Sequence, residues 1–194
     1  MRIAALVILI SALLPSLSQA QEAPVYVITP ETSSIKFDVE ASVAIKGTFD
    51  KWTASLTFTS PDVTTGVLDV EIQAASVDTG SGLKNSKLKG GDFFDVSNNP
   101  LITFKSTKLV QTGPTTFEVD GNFTIRGVTK AEKLTLTVSG KGTGSGTISG
   151  IMAFDRKNYG MNSGIPFIKI ADRVEVSVTL SGKRVAGPPL LFKQ

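Results

Sequence analysis

Apolar and polar residues alternate with period two along most of this chain. Phe37 and Val39 alternate with Lys36, Asp38 and Glu40. Trp52, Ala54, Leu56 and Phe58 alternate with Thr53, Ser55, Thr57 and Thr59. Leu68, Val70 and Ile72 alternate with Asp69, Glu71 and Gln73. The same pattern recurs around Phe104, from Phe117 to Ile125, from Leu134 to Val138 and from Val174 to Leu180. Successive side chains of a strand point to opposite faces, so such segments predict half-buried β-strands with one wet face. With short strands expected near 25–28 and 147–154, the count is eight or nine. Long strands in that number close most readily into an antiparallel barrel, which leaves no exposed edge.

Turn residues divide the strands. A turn is expected at Thr29-Pro30-Glu31-Thr32, others at Pro61-Asp62, Thr65-Gly66 and Gly113-Pro114, and a flexible hairpin over 141–146. Gly121, on an apolar register, predicts a close backbone approach. Residues 81–95 break the alternation, with Leu83, Leu88, Phe93 and Phe94 among three lysines. That segment predicts a short capping helix and an aromatic loop at one mouth. A second long connection, 155–171, carries Tyr159 and Ile165-Pro166-Phe167.

The N-terminus reads as a cleavable secretory signal over 1–20: Arg2, about a dozen apolar residues, then Ser18-Gln19-Ala20. The remainder is read as one barrel domain, 21–185, with a tail, 186–194, outside it. The expected location is the periplasm. No later run is apolar for long enough to form a membrane-spanning helix. The net charge of +3 falls to +2 once Arg2 leaves, and no basic block stands out, so nucleic acid is not an expected partner. A homodimer is compatible with the sequence.

The chain has no histidine and no cysteine. That removes the usual zinc and haem ligands and the Ser-His and Cys-His nucleophile systems. No metal site and no enzymatic activity are expected. Carboxylate chemistry at Asp155 or Asp172 is the remaining catalytic reading, and no paired acids lie on the apolar register to support it. Two Tyr and one Trp are too few for the aromatic girdles of an outer-membrane barrel, so the apolar face is expected to point inward.

The apolar register nominates Phe37, Val39, Trp52, Leu56, Phe58, Val70 and Ile72 as lumen residues. It also nominates Phe104, Phe117, Phe123, Leu136, Phe154, Val176 and Val178, with Phe94 and Tyr159 at the mouth. Each can equally be core filling, because an eight-stranded barrel is either packed by its own side chains or holds one small ligand. A ten-residue strand tilted by about 40° makes a wall of roughly 25 Å, a height that suits a long apolar chain. Arg126, Arg156, Arg173, Lys84 and Lys87 are the candidate donors to a polar head group.

Several segments resemble a known family. They are Ser34-Ile35-Lys36-Phe37, Gly47-Thr48-Phe49, Ala75-Ser76-Val77-Asp78-Thr79-Gly80, Asp92-Phe93-Phe94, the run from Gly121 to Lys130, Tyr159-Gly160-Met161 and Asp172-Arg173-Val174. From Tyr26 to Val185 the chain is similar to the YceI-like, polyisoprenoid-binding periplasmic proteins. The resemblance implies an all-β fold, a single antiparallel eight-stranded lipocalin-like barrel. It also implies that the lumen carries or stores an isoprenoid lipid or quinone as ligand, with no other cofactor. Glu40-Ala41 and Asn85-Ser86 stand where many members carry histidines, so a histidine-dependent contact is not carried over. A filled barrel acting as a stress-related interaction module is the alternative function.

Overall fold

The computed structural model describes residues 22–42, 45–164 and 168–193. The expected signal segment and Ile165-Pro166-Phe167 lie outside them. The described residues form one curled antiparallel sheet of β1 (Val25–Ala41), β2 (Ile45–Phe49), β3 (Trp52–Thr57), β4 (Val67–Gln73), β5 (Val77–Asp78), β6 (Leu101–Gln111), β7 (Thr116–Ile125), β8 (Val128–Val138), β9 (Ser145–Asp155) and β10 (Ile170–Ala186). One helix, α1 (Gly82–Lys89), lies between β5 and β6. The ladder order is β3-β4-β6-β7-β8-β9-β10-β1-β2-β5.

Ten strands replace the expected eight because two strand paths are broken. β2 runs on into β3 through Asp50-Lys51, and β4 runs on into β5 through a 3-10 turn at Ala74–Ser76. The two breaks face each other. The amides of Asp50 and Gln73 donate to the carbonyls of Ser76 and Lys51, at 3.2 and 2.9 Å. Since β2 pairs with both β1 and β5, and β3 pairs with β4, the ten strands trace eight paths around a lipocalin-like barrel.

The turn expected at Thr29–Thr32 is instead a bulge within the 17-residue β1. Pro30 has no N–H to give the ladder. Ser33 substitutes a side chain: its hydroxyl accepts from the Ser181 amide at 2.9 Å and donates to the Thr29 carbonyl at 2.7 Å. The strand therefore continues past the proline, with its register shifted.

The apolar face points inward, as the alternation predicts. Leu68, Val70 and Ile72 are buried while Glu71 and Gln73 are exposed. The C-terminal segment, expected outside the barrel, lies across one end of it. Leu191 exchanges backbone bonds with Pro61 and Val63, and the Phe192 ring packs on Phe117 at 6.1 Å. Residues 188–192 do not alternate, so no period marked this apolar segment as packed.

Candidate functional site

The barrel is hollow at its two ends and filled at its waist. One end is covered by α1 and its following loop. It holds an almost wholly apolar cavity of about 110 Å³, walled by Phe37, Val39, Ile72, Phe94, Phe123, Phe154 and Val176, with Lys84, Lys87 and Arg156 at its margin. The other end is covered by the C-terminal segment. Its cavity, about 90 Å³, is lined by Leu56, Phe58, Phe117 and Leu136 among the predicted residues. The two cavities share no lining residue.

Between them lie Val70, Phe104, Val119, Leu134, Met152 and Val178, all buried and lining neither cavity. Two glycines let this waist close. A Cβ on Gly121 would come within 2.4 Å of the Phe104 ring, and one on Gly150 within 2.6 Å of Val178 and 2.7 Å of Leu136. Both glycines therefore make room for larger neighbours. Val70, Phe104 and Val178, nominated as lumen wall, act here as packing. Trp52 is partly buried, lies opposite Ile72 and lines neither cavity.

The aromatic loop seals the helix-capped end. Phe94 sits 6.5 Å from the Phe37 ring and 5.9 Å from Phe49. Asn85 fastens α1 to the barrel. Its side-chain oxygen accepts from the Thr79 amide at 2.8 Å, and its amide donates to Asp78 at 3.0 Å. Lys87 pairs with Asp92 at 2.6 Å, and Ser163 donates to the same carboxylate at 3.1 Å. Lys87, then Ser163, hold the Asp92 carboxyl below its ordinary range.

Tyr159, nominated for the mouth, is a buried wall element. β8 and β9 pair through four residue pairs only, from Thr135↔Ile151 to Val138↔Ile148. Beyond them the fully buried Tyr159 joins the two strands. Its ring packs on Phe154 of β9 at 5.2 Å, and its hydroxyl donates to Glu132 of β8 at 2.7 Å. Burial first, then Glu132, push this phenol far above its ordinary value.

The arginines divide sharply. Arg156 is buried, and its donors are mostly committed. Nε reaches the Ala171 carbonyl at 3.2 Å, Nη1 reaches Met161 and Ser163, and Nη2 pairs with Asp172 at 3.2 Å. Four of the five guanidinium N–H donors are thus used in pinning the 156–163 loop to β10. Arg126 spans the helix-capped end, donating to Gly160 at 2.7 Å and Gly91 at 2.8 Å. Arg173 stands on the outer face beside Glu175 at 3.9 Å, away from the lumen. The inward register of Val174 and Val176 puts it there.

A model of the YceI-like domain matches residues 26–181. The chain belongs to the YceI-like family. The match takes in α1 and all of the strands except Val25 and the end of β10 beyond Ser181. Among curated relatives it is 34% identical over 96 residues to a UPF0312 protein of Pseudomonas aeruginosa and 31% identical over 96 residues to one of Azotobacter vinelandii. It spans about half the length of each of these relatives. Among solved structures, Burkholderia cenocepacia BcnA superposes with a TM-score of 0.72 at 24% identity, over 79% of this chain and 98% of that one. A polyisoprenoid-binding domain from Saccharophagus degradans gives 0.63 at 14% identity, over 83% and 99%. At these identities the likeness is one of fold.

Sequence reasoning missed Phe49, Met161 and Phe192 as cavity residues. Phe49 carried a usable signal, since it shares the inward period of Ile45. Met161 and Phe192 lie in segments without a period.

Proposed function

We propose that the chain binds an isoprenoid-type lipid, a polyprenyl chain or isoprenoid quinone, and carries or stores it in the periplasm after removal of residues 1–20. One observation carries the reading: the helix-capped cavity is almost wholly apolar and covered by a segment held to the barrel through side chains rather than through the sheet. An apolar void of this order takes a small hydrocarbon without rearrangement. A longer chain enters by displacing the cap. Each 100 Å² of apolar surface buried contributes about 2.5 kcal/mol before the cost of association. The name of the Saccharophagus degradans domain supports the ligand class. The role is binding rather than catalysis, in keeping with the family and with the lack of paired acids on the apolar register.

The packed waist favours a second reading, a filled barrel serving as an interaction module. Organic extraction of protein purified from a bacterial periplasm, followed by mass spectrometry, separates the two. A prenyl lipid in the extract is expected. An empty extract, together with an unchanged melting temperature in added farnesol, would select the filled module.

A further inference from the structure

The cavity at the tail-covered end has a rim unlike that of the helix-capped one. Its lining includes Arg184, Lys141 and Tyr26 and no carboxylate. At the helix-capped end Lys87 is paired with Asp92, and Arg156 is paired with Asp172. At the tail-covered end the cavity lining brings no carboxylate to either cation. Arg184 uses Nη1 on the Gly187 carbonyl, while its Nε is buried and has no hydrogen-bond partner, as is true of Nε of Arg126 at the helix-capped end. A buried donor left without a partner costs free energy and marks a place where an acceptor fits. Lys141 is exposed, its ammonium 4.9 Å above the Phe192 ring. Tyr26 lies opposite Arg184 across the β1–β10 ladder, its phenol a further donor. The Arg184 side chain also rests 3.8 Å from the position of a Cβ on Gly144, in the hairpin that edges the opening.

We infer that this tail-covered cavity is a second ligand site. It takes a single-chain amphiphile with an anionic head, the first carbons lying among Leu136, Phe117 and Leu190 and the head between Arg184 and Lys141. The geometry needed is already present: an apolar pocket, two cations at its rim and a phenol donor beside them. The site stands apart from the helix-capped cavity because the waist divides them, so it holds whether or not an isoprenoid occupies that other end.

The test uses octanoate and octanol, which share a chain and differ in head charge, with the full chain labelled for nuclear magnetic resonance. Octanoate should shift the amides of Gly140, Gly142 and Gly144 more than that of Gly91. Its affinity should fall about ten-fold in Arg184→Met while that of octanol holds. Rising salt should weaken octanoate selectively. Lys141→Ala, at an exposed turn position, provides the same comparison if Arg184→Met does not fold. Octanoate shifts confined to the helix-capped end, equal losses for both probes, or no binding of octanoate at millimolar concentration would each overturn the assignment.

Discussion

The two ends of the barrel are closed by different means. The helix-capped end is held by polar side chains: Arg156, Arg126, Asn85 and the Lys87–Asp92 pair tie loop to loop. The tail-covered end is held mainly by backbone and rings, the Leu191 amide on Pro61, the Val63 amide on Leu191 and Phe192 on Phe117, with one side-chain clasp of Gln111 on the Lys193 backbone. Long connections, with few ladder bonds of their own, need side chains to fix them. A C-terminal segment that reaches a neighbouring backbone can add a short ladder instead. The comparison teaches that one barrel wall can carry two covers fastened by unlike means, with a packed waist between them.

The largest blow to that arrangement is a charge in the waist. Val70→Arg should cost upwards of about 4 kcal/mol and abolish cooperative folding, checked by denaturant melts. A folded Val70→Arg protein would mean that the waist is not a dry partition. Arg156→Ala comes next, at about 3 kcal/mol, because it leaves the buried carbonyl of Met161 and its neighbours without donors. Amide exchange should rise over 156–163 and leave 61–66 protected. Phe192→Ala removes a partly buried ring and should cost about 1–2 kcal/mol, with faster exchange at Val63 and none of the disturbance at the helix-capped end. Equal exchange at both ends in either variant would dissolve the distinction.

Acid gives a smaller effect, since the carboxylates involved are exposed. Asp78, Asp92 and Asp172 at the helix-capped end are held below the ordinary value of 3.8, chiefly by Asn85, Lys87 and Lys157 respectively. Asp62 at the other end is lowered by Thr64. A lowered carboxylate adds stability above its unfolded value and loses it as pH falls through the folded one. The helix-capped cover should therefore loosen first as the pH drops below about 4, read by amide exchange over 85–92. Glu71→Arg, on the outer face, should change stability by less than about 0.5 kcal/mol.

Much of this was legible in the chain. Period-two alternation identified the strands and their inward faces, because a one-residue slip would turn every apolar side chain to water. The absence of histidine and cysteine narrowed the chemistry. Gly121 marked a close approach, and 81–95 marked the cap. Phe37, Phe123 and Phe154 were legible as lumen residues for the same reason. Sequence periodicity could not tell Val70 from Ile72, which share a face two residues apart but lie at the waist and in a cavity.

What the sequence by itself determined is which face of each strand is buried, since that depends only on local order along the chain. The tertiary structure alone decided height along the barrel axis, and with it which buried residues fill and which enclose. It also decided what each cation meets. Arg156 is spent on loop carbonyls, Arg173 faces outward, and Arg126 and Arg184 each keep an unpartnered Nε, because hydrogen-bond partners come from segments far apart in the chain.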